Sequence, residues 1–425
     1  MDTMLQGLMT FLDNSPSCFH AIRNLTDRLD SLGYTALSEA EPWPLAPGGQ
    51  YYVTRNQSAL IAFRVPATPV KGFTLAASHS DRPCFKVKEH PELETAGTYI
   101  RLAVERYGGM LMAPWLDRPL SVAGRVMVCT DSGIESRLVN LDRDLLMIPN
   151  VAIHMNRKAN DGYTYNPAVD MIPLMGSMET KDDFLALVAQ AAGCQPQEIL
   201  GSDLYLYNRQ KATVWGARSE YLSAPALDDL QCAYATMEGF LRAKNEKNIP
   251  VCCVFDNEEV GSRTRQGANS DFLERTLTRI AAGLHLDYHQ ALAQSFMVSA
   301  DNAHALHPNH PEYADAGNRP AINQGIVVKF NANQSYTTDG ISAAIFRKAC
   351  QKADVPVQTF FNRADLLGGG TLGNISTSHV SISTVDVGLP QLAMHSCYET
   401  AGVKDSEYLA KAMACLYAMQ PTVME

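Results

Sequence analysis

No two cysteines in this 425-residue chain stand in a C-x-x-C pair, although ten occur, at 18, 84, 129, 194, 232, 252, 253, 350, 397 and 415. Zinc ribbons and disulfide scaffolds are therefore poor readings. Basic residues are not in excess: 35 Lys and Arg face 45 Asp and Glu, a net charge of −10, so no nucleic-acid footprint is expected. No stretch approaches the ~20 apolar residues of a membrane helix. The short apolar run at 4–12 follows Asp2 instead of a basic segment, and no small-residue cleavage site comes after it. No signal peptide is expected, and free thiols suit a reducing compartment, so the reading is a cytoplasmic protein with no membrane partner. The phosphate loop G-x-x-x-x-G-K-[ST] and the nucleophile elbow G-x-S-x-G are missing too. What remains, 46% hydrophobic and 19% charged, is enough to bury a large core with an insertion.

Phe19, Ile22, Leu25 and Leu29 recur at helix spacing, and Gly33 stops the pattern. Residues 57–65 and 73–78 read as strands, the second (FTLAAS) delivering His79. From 88 to 221 the texture becomes β-like, in runs such as SVAGRVMVCT and KATVWGAR. One helical pattern, KDDFLALVAQAAG, and a long Pro- and Asn-rich loop at 148–173 interrupt it. Thereafter helix patterns at 229–242, 271–283, 341–353 and from about 405 alternate with VCCVFD, SFMVSA, IVVKF, VQTFF, HVSIST and LPQLAM. The expected fold is α/β, a sheet covered by helices on both faces. Residues 1–87 and 222–425 form one split domain around an inserted, mostly β domain at 88–221.

Several apolar runs share an ending. FTLAAS leads to His79, VCCVFDN to Glu258 and Glu259, SFMVSA to Asp301 and LPQLAM to His395, while Asp228 precedes the amphipathic run LQCAYATMEGFL. Strand carboxyl ends line the ligand crevice of open α/β sheets, so these residues are expected to converge. Two histidines with several carboxylates make a nitrogen and oxygen donor set, suited to zinc, manganese or cobalt. Two ions sharing one carboxylate is a standard hydrolytic arrangement. Asp81, two residues beyond His79 in an extended segment, points the same way and can brace its imidazole. Adjacent Glu258 and Glu259 can divide the work, one on a metal and one free to take a proton from water. The plain alternative is a set of unrelated polar strand ends.

SHSDRP (78–83), ALDDL (226–230), DNEEVGS (256–262), SADNAHALHPN (299–309), KFNANQSY (329–336) and AMHSCYE (393–399) occur in this order over the whole chain. Together they resemble the aspartyl aminopeptidase family of dinuclear zinc peptidases, in its bacterial branch. The resemblance implies a mixed central sheet and two divalent ions, zinc first, with manganese and cobalt as alternatives. His79, Asp228 and Asp301 would hold one ion, and Asp228, Glu259 and His395 the other. Glu258 would be the general base towards the attacking metal-bound hydroxide and Asp81 the brace. The Asp228-Asp229 peptide would be cis, and Asp229 stands where the family often has Asn. The resemblance also implies His304 on the oxyanion and Lys329 on an acidic substrate side chain. Tyr336 and Gly369 are grouped with Lys329 as substrate-binding residues. His154 in AIHMNR would reach a neighbouring subunit's site, the inserted domain would dimerise, and dimers would build a tetrahedral dodecamer.

The expected function is removal of N-terminal Asp, and also Glu, from peptides. A dinuclear hydrolase of other amide specificity and a non-enzymatic metal-binding shell are the alternatives. The run at 368–373 formally matches G-x-G-x-x-G, but NISTSHVSIST downstream reads as strand where a dinucleotide site needs a helix, so those glycines are assigned to a loop approaching the substrate. His285 and His289 lack the Glu of H-E-x-x-H, and Pro308 and Pro311 deny His307 and His310 a regular helix face.

Overall fold

The computed structural model of the chain describes residues 3–366 and 368–421. Its centre is a nine-stranded sheet in the order β1 (Thr35–Leu37), β2 (Gln50–Arg55), β3 (Ala59–Arg64), β13 (Ile249–Phe255), β4 (Phe73–His79), β14 (Phe296–Ala300), β18 (Ser383–Gly388), β16 (Ile326–Phe330), β17 (Val357–Phe361). The sheet is mixed: β13, β4, β14 and β18 run parallel, and β3 and β16 flank them antiparallel. Alternate residues of the central strands enter opposite cores. Ala76, Cys252 and Val254 face α1 (Thr3–Asp13), α2 (Cys18–Ser31), α4 (Leu227–Arg242), α7 (Gly340–Lys352) and α9 (Asp405–Tyr417). Leu75, Cys253 and Phe255 face α5 (Phe272–Gly283), α6 (Tyr288–Ala293) and α8 (Leu372–Thr377). Burial on both faces is why VCCVF is a continuous apolar run and why FTLAAS, with Thr74 and Ser78 buried too, has no exposed alternate positions.

A second sheet, antiparallel throughout, has the order β8 (Gly133–Asn140), β7 (Leu120–Thr130), β10 (Ile199–Asn208), β5 (Cys84–Thr95), β6 (Tyr99–Tyr107), β9 (Leu174–Ser177) and encloses its own core with α3 (Asp183–Ala192). It starts at Cys84, only four residues beyond Ser80, and its last strand closes at Asn208. Residues further on join a third sheet, β11 (Thr213–Trp215), β12 (Tyr221–Ala224), β20 (Glu399–Gly402), β19 (Pro390–Leu392), β15 (Ala303–His304). The β-like runs KATVWGAR and LPQLAM contain two of its strands, but a separate third sheet was not expected, because it gathers short strands from distant parts of the chain.

Two local expectations are corrected. NISTS is not strand: α8 covers it, because Leu372 and Ser376, one turn apart, are both buried and Ile375 packs on the same core, and packing overrides the weak helix propensity of Ile and Thr. The following strand is Ser383–Gly388, later than HVSIST. His395 is not delivered by a strand of the main sheet either, since β19 before it belongs to the third.

Helix α4 is buried from Leu227 through Phe240, wedged between the main sheet and α9. Gly239 permits that approach: a Cβ there would lie 2.5 Å from Met413 Cβ and 2.8 Å from the Ala410 carbonyl oxygen. Ala is normally favoured over Gly in a helix by ~1 kcal/mol, but overpacking costs ~1–3 kcal/mol and here should exceed the gain. Gly239→Ala is therefore expected to lower the urea midpoint without changing the m-value.

Candidate metal centre and active site

The carboxyl ends of the parallel strands meet at one cleft of about 280 Å³. His79 closes β4 and pairs with Phe255, the last residue of β13. Beyond Phe255, Asn257 adopts a left-handed backbone (φ 60°) that turns the chain into the short helix Glu258–Val260. Asn257 is held there by its side chain, whose Oδ1 accepts from Thr264 and Gln266 and whose Nδ2 donates to the Tyr107 hydroxyl at 2.8 Å. Asp301 follows β14 directly, and Asp228 lies at the start of α4, where its backbone is not yet helical. The Asp228-Asp229 peptide is cis.

Asp228 is the hub. Its Oδ1 lies 3.6 Å from His79 Nε2 and its Oδ2 3.5 Å from His395 Nε2, while His395 Nε2 is 3.4 Å from Glu259 Oε2. Donor atoms of His79, Asp228 and Asp301 fall within 4.8 Å of one another, and so do those of Asp228, Glu259 and His395. His79, Glu258 and Glu259 form a third such group. Among the described residues, Asp228 Oδ1, Asp229 Oδ1 and Glu259 Oε1 are buried with no hydrogen-bond partner. Buried carboxylate oxygens without partners are costly unless a cation or donor satisfies them. An imidazole and carboxylate set with orphaned oxygens therefore fits borderline divalent ions such as zinc.

Asp81 does more than brace His79. Its Oδ1 lies 3.3 Å from His79 Nδ1 and accepts the Glu258 N–H at 3.0 Å; its Oδ2 accepts the Glu259 N–H at 3.2 Å and the Tyr107 hydroxyl at 2.6 Å. Asp81 thus holds both glutamates through its carboxylate and the histidine through that carboxylate and its own main-chain carbonyl, 3.2 Å from Nδ1. Glu399 does the same on the other side. Its Oε1 accepts the His395 N–H at 2.8 Å and its Oε2 the Asp228 N–H at 3.0 Å. Glu399 lies in AMHSCYE, four residues after His395, and was not among the residues expected at the site. Asn302 was likewise passed over. Its amide donates to Gln231 Oε1 (3.0 Å) and Gln391 Oε1 (2.7 Å), fixing the stretch between Asp301 and His304 to α4 and to the third sheet.

Lys329, His304, Tyr336 and Gly369 line the same cleft. Lys329 is buried, donates to the Asn302 carbonyl at 3.0 Å and lies 3.6 Å from Asp301 Oδ1, with its ammonium 5.4 Å from the centre of the Tyr336 ring. His304 is exposed at the cleft and meets Phe360 edge-on, 6.2 Å between centroids. His154 is not brought to this cleft: it is exposed in the segment 148–173, beside exposed Val151, Ile153 and Met155.

Burial first, then the charges of Asp301, Asp81 and Asp228, push the Glu258 carboxyl up to about 8 in the cation-free protein. Glu259 is raised well above its ordinary range by burial and by Asp228. Asp228 itself is held low: burial opposes its ionisation, but the nearby imidazoles of His395 and His79 outweigh that. Glu399 is pushed up to about 8, by burial and the Asp228 charge.

Fold and site together define a metal-dependent hydrolase, with its donors at the carboxyl edge of a sheet sandwiched by helices. The sequence matches the family described as Aminopeptidase I zinc metalloprotease (M18) over residues 11–417, and the chain belongs to that family of metallopeptidases. It is 42% identical over 421 residues to the "Probable M18 family aminopeptidase 2" of Clostridium novyi (strain NT), covering 96% of this chain and 97% of the relative. Among solved structures, it resembles a chain from the cryo-EM structure of the Ape4 and Nbr1 complex, with 34% identity and a TM-score of 0.94 over 98% of this chain and 85% of that one. It also resembles the S. cerevisiae mApe1 dodecamer, with 28% identity and a TM-score of 0.87 over 99% and 97% of the two chains.

The raised carboxyls set a pH dependence. Glu258 and Glu399 have an ordinary value of 4.5 and stand near 8 in the folded, cation-free chain, which therefore binds protons that the unfolded chain releases. Their contribution to stability is complete below about 4.5 and is lost as pH rises through about 8. Chelated protein is expected to lose several degrees of Tm between about pH 5 and pH 8, and metal-loaded protein to lose much less, as read by calorimetry.

Proposed function

We propose that the chain is an aminopeptidase removing N-terminal Asp, and also Glu, from peptides at a pair of divalent cations. The observation that carries this is the sharing of Asp228 between two donor triads, with Glu258 in the same cleft and needed by neither. His79, Asp228 and Asp301 would hold one ion, and Asp228, Glu259 and His395 the other. Bound there, such ions polarise the scissile carbonyl and make water easier to ionise near neutral pH. Glu258 takes the proton from the attacking water and returns it to the leaving amine. It is ionised for that task once positive charge beside it offsets the neighbouring carboxylates. His304, at the cleft, donates to the oxyanion that develops on the substrate carbonyl.

Lys329 gives the site its preference for acidic termini. It is a buried cation in the cleft, and a partner charge at ~4 Å is worth up to ~4 kcal/mol at an effective dielectric of 20. The overall charge of −10 matters little beside it, because exposed charges more than ~8 Å away are screened. His154 serves a neighbouring subunit. It lies away from its own chain's cleft, and Met155 beside it is 84% exposed, which suits burial in an assembly. The inserted domain would pair two chains, and the mApe1 dodecamer is the precedent for a larger closed shell. A cytoplasmic location accords with the free thiols.

Two substitutions test the assignment. Glu258→Gln should keep the metal-to-protein ratio while kcat falls by at least ~10²; retained turnover would remove Glu258 as the base, and lost metal would make it a ligand. Lys329→Ala should abolish the preference for Asp- over Leu-terminated chromogenic substrates, a loss of ~10-fold or more in that ratio. An enzyme that never prefers Asp would point to another amide specificity, and a metal-loaded protein without turnover to a non-enzymatic shell.

A further inference from the structure

Two loops beside Lys329 line the cleft and have no regular secondary structure of their own: 331–338, which carries Tyr336, and 368–371, which carries Gly369, Gly370 and Thr371. Neither is held by a sheet ladder. Both are tied to Asp386, a fully buried carboxylate in β18 that belongs to neither metal triad. Its Oδ2 accepts the Thr337 N–H and the Thr337 hydroxyl, each at 2.6 Å, and its Oδ1 accepts the Thr371 hydroxyl at 2.6 Å.

The surrounding backbone is arranged for this. Strands β16 and β18 pair at Val327–Gly388 and Val328–Val387, and at the next position the Asp386 N–H donates to Thr338 Oγ1 at 2.9 Å. Residue 373 is Gly where α8 begins, and a Cβ there would stand 2.7 Å from Asp386 Oδ1 and 2.8 Å from Ser299 Cβ. Nothing larger fits between that helix and the carboxylate. Buried charged acceptors with several donors are strong, geometrically restrictive ties.

We propose that Asp386 is the positioning residue for the substrate side-chain pocket: it holds Tyr336 on one loop and Gly369-Gly370 on the other in fixed relation to Lys329, and so controls which N-terminal side chains are accepted. This rests on the aminopeptidase reading of the cleft. Asp386 itself touches no reacting atom; it acts through the loops.

The test uses the metal-loaded enzyme. Asp386→Asn keeps the side-chain shape but turns one acceptor into a donor, facing groups that also donate. The expected result is an unchanged metal-to-protein ratio, a KM for Asp-terminated substrates raised ~10-fold with a smaller change in kcat, and an Asp-over-Leu ratio of kcat/KM lowered by ~10-fold. Thr337→Val should move that ratio the same way by less, and Thr337→Ser should return it. An equal fall on Asp and Leu substrates, with the ratio fixed, would overturn the proposal, as would loss of metal in Asp386→Asn. Should that variant not fold, the Thr337 pair decides: no shift with Thr337→Val overturns it. A wild-type enzyme with no aminopeptidase turnover would sink the reading of the cleft instead. The tie is then judged by hydrogen exchange at 331–338 and 368–371, expected to quicken in Asp386→Asn, and unchanged protection would count against it.

Discussion

Negative charge gathered in one cleft is the constraint around which this molecule is arranged. Asp228, Glu258, Glu259 and Asp301 line the cleft, with Asp81 and Glu399 behind them. Each carboxylate taken from water needs donors or a counter-charge. Asp81 and Glu399 receive backbone N–H groups, Asp228 receives two histidines, and Asp301 has Lys329. Among the described residues, the oxygens left without a donor around the cleft are on Asp228, Glu259 and the neighbouring Asp229. Two of these three belong to carboxylates that a divalent ion would use.

The route by which the chain reaches the cleft adds a second constraint. Ala226, Asn257 and His395 all have left-handed backbone, with φ of 56°, 60° and 66°. Asn and His enter that region more readily than most residues, whereas Ala does so only when its surroundings insist. At His395 the surroundings include the Glu399 carboxylate on its own N–H, and at Asn257 a side chain bonded to three partners. These three lie at or within two residues of the donors, although left-handed backbone recurs at non-glycine positions elsewhere in the chain, such as Ala96 and Asp182.

Much of this was legible in the sequence because strands buried on both faces read as unbroken apolar runs, and because such strands deliver polar residues at one edge. His79, Glu258, Glu259 and Asp301 were found that way. Asp228 could be placed only loosely, at the start of a helix, and His395 was found for a partly wrong reason, since its preceding strand lies in another sheet. The supporting layer was not legible. Glu399, Asn302 and Asp386 act through partners far away in sequence, at Asp228, Gln231 and Thr337, and such pairings leave no period or spacing. Helix α8 was misread because packing of Leu372, not local propensity, decides its form.

Tyr107 belongs to β6 of the second sheet, yet its hydroxyl donates to Asp81 and accepts from Asn257. The hinge between the two sheets is equally short, since β5 starts at Cys84 just after His79 ends β4. The inserted part of the chain is therefore not a passive appendage. A phenol anchored in it closes the scaffold beneath the glutamates, so a tilt of one sheet against the other would register at Glu258 and Glu259 before it reached any substrate.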